Sequence, residues 1–123
     1  MKPGDRTPIP TVSEVVRRAV ALTDPAGDDV AVRAFEESYE DDDRPTSTAE
    51  DLAGELGSVA GGIDPEGDSP AISVAAAAAF WLSTNYDQAD DRERVLVEAT
   101  RLGLGDPPPP EVEEWLAGQG VRV

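Results

Sequence analysis

Asp24-Pro25-Ala26-Gly27-Asp28 and Asp64-Pro65-Glu66-Gly67-Asp68 are one pentapeptide pattern used twice, and an apolar-periodic segment runs into and out of each copy. The pattern reads as helix, tight corner, helix. Asp opens an Asx-turn, Pro fixes φ at the next position, Gly takes a left-handed conformation, and a polar residue caps the following helix. Aligning the copies pairs Val12 with Leu52, Val16 with Leu56, Ala19 with Val59, Ala31 with Ala71 and Val32 with Ile72, so the apolar stripes stay in register. Two repeats are too few for a solenoid, which needs about three to bury a continuous core. The expectation is a pair of similar hairpins related by a pseudo-two-fold axis.

Acidic loops between helices also raise a calcium reading. An EF-hand loop wants oxygen ligands at positions 1, 3 and 5, Gly at 6 and Glu at 12. Counting from Asp24 places Ala26, Asp29 and Phe35 at positions 3, 6 and 12. Counting from Asp64 places Ser69 at 6 and Ala75 at 12. Neither loop has its closing Glu, so the corners read as turns.

Along the chain, residues 1–10 carry three prolines and are expected to be a flexible lead-in to one helical domain over 11–123. Thr11 caps a first helix with Val12, Val15, Val16, Ala19 and Val20 on one face. A second opens after Asp28 or Asp29, with Ala31, Ala34, Phe35 and Tyr39 inward. Ser47-Thr48-Ala49-Glu50 matches a capping box for a third helix carrying Leu52, Leu56, Val59 and Ile63. Gly54 and Gly57 weaken that helix or mark close packing, and Gly61-Gly62 is expected to end it. Ser69-Pro70 opens a fourth helix, apolar on nearly every side from Ala71 to Leu82 and therefore central. Asp87 is the expected cap of a fifth helix, with Val95, Leu96, Ala99 and Leu102 inward and Gly103 just past its end. Pro107 to Pro110 form a stiff connector to a last helix holding Val112, Trp115 and Leu116, and Val121-Arg122-Val123 reads as an extended tail. The predicted fold is all-α, a small orthogonal bundle of about six helices: two similar helix-turn-helix hairpins plus a C-terminal helical pair.

Composition removes whole classes of chemistry. The 123 residues contain no Cys and no His, which excludes thiolate nucleophiles, disulfides, the commonest general base and the commonest transition-metal ligand. The chain is read as non-enzymatic and without a cofactor. Twenty-six acidic against ten basic residues give a formal charge of −16, which opposes direct nucleic-acid binding and anionic membranes and favours a basic partner surface. With no signal-like start and no membrane-length apolar run, a cytoplasmic location is expected. Arg-rich, Lys-poor composition fits a bacterial, GC-rich genome.

Candidate sites follow from charge and aromaticity. Glu36, Glu37, Glu40, Asp41, Asp42 and Asp43 put six carboxylates in eight residues, a partner-binding acidic loop or simply a solvated, mobile one. Trp81, Tyr86 and Trp115 stand near helix ends, where an exposed aromatic serves as an anchor and a buried one as core. The pairs Asp90/Glu93 and Glu111/Glu114 place two carboxylates on one helical face, and Ser83 to Tyr86 form a polar patch after the central helix. The resulting expectation is an acidic helical protein-interaction module, docking on another protein or on itself. The alternative is a divalent-cation or small-ligand binder using clustered carboxylates.

Overall fold

The computed structural model describes residues 10–48, 50–86, 91–105 and 108–121. Among them the chain is all-α, with α1 (Val12–Thr23), α2 (Val30–Ser38), α3 (Leu52–Ile63), α4 (Pro70–Asn85), α5 (Arg92–Leu104) and α6 (Pro110–Gly118), and a 3-10 turn at Thr46–Thr48. Residues 1–9 of the expected lead-in, Asp87, and Arg122-Val123 of the expected tail lie outside the described residues.

The repeated pentapeptide folds the same way twice. Asp24 (φ −134°, ψ 69°) and Asp64 (φ −128°, ψ 67°) end α1 and α3 in matching conformations, and Gly27 and Gly67 both take φ +71°, a region closed to most side chains. The Asp24 carboxylate accepts the Asp28 and Asp29 amides at 3.3 and 2.9 Å, and that of Asp64 accepts the Asp68 and Ser69 amides at 2.9 and 2.8 Å. Each corner therefore uses its aspartate internally and delivers the chain to a capping residue, Asp29 for α2 and Ser69 for α4. Those caps meet: Ser69 Oγ donates to Asp29 Oδ2 at 3.3 Å across a separation of 40 residues. α1 packs extensively on α4, α3 packs more lightly on α2, and α2 touches α4, so the relation between the halves is an approximate one. Contact between equivalent residues, with each heterotypic contact made twice, is the signature of a two-fold relation. The hairpins α1–α2 and α3–α4 are its two halves.

α4 runs through the centre, burying Ala71, Ile72, Val74, Ala75 to Ala79, Trp81 and Leu82 against α1, α3, α5 and α6. Its alanine waist admits close neighbours. A Cβ added at Gly103 of α5 would sit 3.0 Å from the Ala77 methyl. A smaller cluster of Val74, Leu96, Val112, Leu116 and Val121 fastens α6. Far from starting an extended tail, Val121 donates its amide to Leu116 O at 2.9 Å, and Gly120 (φ +80°) to Ala117 O, a Schellman-type helix end.

Several boundaries differ from the sequence reading. α3 starts after Asp51, whose carboxylate accepts the Gly54 amide, so Ser47 does not cap it; residues 46–48 close a 3-10 turn instead. α3 runs past Gly61-Gly62 to Ile63 because Asp64 sets the corner. Asp91 caps α5, and Gly103 lies inside that helix, with Gly105 (φ +106°) at its end. Leu102 points outward and is 61% exposed, while Val32, absent from the expected inner face of α2, is fully buried beside Phe35.

Candidate functional site

The acidic run is held by its backbone. Amides of Val12 and Ser13, unpaired donors at the start of α1, reach the carbonyls of Arg44 (2.8 Å) and Asp42 (2.9 Å), and the Thr46 amide reaches Pro10 O at 3.0 Å. The loop thus wraps the positive end of α1, where carboxylates are favoured by the helix dipole. Arg44 forks onto Asp42 (2.6 Å) and also meets Glu55 of α3 (2.7 Å). Its guanidinium holds the Asp42 carboxyl below the usual range, and the two carboxylates raise Arg44 in turn. Beneath them Tyr39 is buried, its hydroxyl 3.4 Å from Glu55 O; burial first, then the charges of Glu55 and Asp42, push its pKa up to about 12. Glu37, Glu40, Asp41 and Asp43 remain exposed and Glu36 half-buried. The loop is therefore solvated at most of its carboxylates, as the sequence reading has it, while its backbone is hydrogen-bonded to the start of α1.

The other expected site residues disperse. Trp81 is core, while Tyr86 and Trp115 are half-buried and pack on the same cluster. Glu93, Glu111 and Glu114 are exposed, and Asp90 lies outside the described residues. Thr84 and Asn85 bond back to Trp81 O, at 3.4 and 3.0 Å, and so serve the end of α4. Among the described residues no trio of acidic side chains is placed to hold a metal ion.

A different feature stands out. Between α1 and α2 lies a crevice of about 400 Å³ lined by Ser13, Arg17, Arg33, Glu36, Glu37 and Glu40. Between α3 and α4 lies another, of about 270 Å³, lined by Ala53, Gly57, Ser73, Ala76, Ala77 and Phe80 at the six equivalent positions. The two-fold relation builds one crevice twice, with opposite chemistry. In the first, charged side chains line it: Arg33 Nη2 donates to Gly27 O at 2.7 Å and Arg17 lies 3.5 Å from Ser13 Oγ. In the second they are replaced by the Ala76 and Ala77 methyls, the bare backbone of Gly57, the Ser73 hydroxyl and the Phe80 ring. Ala60, Gly61 and Ile72 extend its walls, Gly103 and Leu104 of α5 form a side that the first crevice lacks, and Asp64 and Gly67 of the corner close one end.

The glycines sharpen this contrast. Gly57 and Gly61 are exposed, and a Cβ on either would meet no atom within 4 Å. Each weakens α3 by roughly 1 kcal/mol relative to Ala, and packing within this chain does not require them. The sequence carried the signal, since the alignment that pairs Val12 with Leu52 also pairs Arg17 with Gly57 and Glu40 with Phe80. The repeat is conspicuous where the copies agree, whereas this signal lies where they differ.

Comparison with protein-family models, with curated proteins and with solved structures finds no match. No helix among the described residues is long and apolar enough to cross a membrane.

Proposed function

We propose that this chain is a helical protein-interaction module whose working surface is the apolar α3/α4 crevice. The observation that carries this reading is the contrast between two crevices set between equivalent helices, one lined by charge and one left apolar and open at Gly57 and Gly61. Ala76 and Ala77 are small because α5 packs over them, but on the α3 side no atom lies within 4 Å of a Cβ at Gly57 or Gly61, so packing within the chain does not account for the open wall there. Clearing the second costs α3 helix propensity at Gly57 and Gly61, and what it yields is an open apolar trough, the kind of surface that accepts side chains from a partner. The missing Cys and His favour binding over chemistry.

The test uses the internal control. A photo-crosslinking residue placed at position 57 in the native cell is expected to give a discrete protein adduct, and the same residue at position 17 is expected to give none. The adduct should vanish when Gly61→Leu fills the trough. Identical adduct patterns from 57 and 17, or no adduct from 57, would overturn the reading.

A further inference from the structure

The occupant of the trough can be narrowed by charge, on the basis of the interaction reading above. None of the residues lining it is basic, and its one charged group is Asp64, half-buried at the corner end. The Asp64 carboxylate already accepts two backbone amides, yet those neutral donors leave its charge uncompensated. The basic residue nearest in sequence to the α5 wall, Arg101, is exposed on α5 and does not line the trough. By contrast, the equivalent crevice of the first hairpin contains Arg17 and Arg33 among its three glutamates, so it supplies its own counter-ions. A second copy of this chain would bring another −16 of charge to the surface, which like-charge repulsion opposes. Ala53, Gly57 and Gly61 recur at every fourth position of α3, so the trough presents a low ridge to a helix laid along it.

We infer that the trough binds a cationic amphipathic helix of a partner protein, its apolar face on Gly57, Gly61 and Phe80 and a Lys or Arg at the Asp64 end. The first hairpin contains the matched control for the charge assignment. Asp24 holds the twin corner with the same hydrogen bonds and lies outside the trough.

Fluorescence anisotropy with labelled synthetic peptides tests this at physiological salt. The probes are a helix with Leu and Ala on one face and Lys on the other, the same peptide with Glu for Lys, and a scrambled Lys peptide. The amphipathic Lys peptide is expected to bind wild type and to lose at least about tenfold in Kd with Gly57→Leu. Asp64→Asn should weaken it by up to about fivefold, the range of an exposed ion pair, while Asp24→Asn leaves it unchanged. Thermal melts of the two Asn variants establish that both corners still form. Equal binding of the Lys and Glu peptides, both abolished by Gly57→Leu, would sink the cation assignment and leave the interaction reading standing. Equal binding of the Lys peptide to wild type and Gly57→Leu would mean attraction to the acidic surface at large and would sink both. Scrambled peptide binding as well as the amphipathic one, equal weakening by Asp24→Asn and Asp64→Asn, or no binding by any peptide, likewise overturns the inference.

Discussion

Gly57 and Gly103 are both helical, and they should respond oppositely to a methyl group. Gly57→Ala adds a Cβ into open space and removes a mid-helix glycine, so thermal denaturation should show a gain of roughly 1 kcal/mol. Gly103→Ala drives its Cβ to 3.0 Å from the Ala77 methyl, and the crowding should cancel or reverse that gain. Equal stabilisation by both would mean that α5 does not sit tightly on the alanine waist. Tyr39 makes a second residue-scale prediction. Its folded pKa, about 12, lies above the ordinary value of 10.0, so the fold favours the neutral phenol. That contribution is complete below pH 10 and is lost as pH rises through about 12. Denaturant midpoints measured across this window should fall for wild type and fall less steeply for Tyr39→Phe.

Among the elements, those with a strong apolar face and a cap beside it were legible in the sequence. α1 begins and ends where Thr11 and the Asp24-Pro25 corner put it, and α2 and α4 begin where Asp29 and Ser69 put them. The start of α3 was misplaced because Ser47 and Glu50 match a capping pattern that Asp51 wins. Asp51 gains a direct bond to the Gly54 amide, and glycine leaves room for its carboxylate over the first turn. Gly103 was misread as a stop because its role depends on a neighbour, Ala77, which local sequence does not reveal. The tie between α5 and α1 was equally hidden: Arg92, at the start of α5, donates from Nε to Leu22 O at 2.6 Å, across 70 residues, and from Nη2 to Gln119 at 3.3 Å. One guanidinium thereby serves the carbonyl end of α1 and fastens the end of α6. Arg92→Ala should cost about 2 kcal/mol, in the range of a charged hydrogen bond at a helix C-terminus, with faster amide exchange at the ends of α1 and α6. Exchange that speeds up uniformly over the molecule would argue against this local role.

At the scale of the molecule, −16 of formal charge on 123 residues works against compaction. Raising salt screens that repulsion, so the melting temperature should climb with sodium chloride over the range where the Debye length shrinks from about 30 to about 8 Å; a flat or falling response would show that local pairs such as Arg44 with Asp42 dominate. The fold class and the doubled hairpin could be read from periodicity and from the repeated corner. The loss of charge along the second hairpin is also visible in the aligned copies, but the trough itself is not, because it arises only when the hairpins are set about their axis and α5 is laid along one of them. The crevice built twice has a consequence for counting. A molecule that reads only the walls the two hairpins share would meet two addresses on this protein and saturate at two per chain; one that needs the α5 side or the apolar lining would saturate at one. Stoichiometry, ordinarily the least informative number in a titration, here distinguishes shape from chemistry.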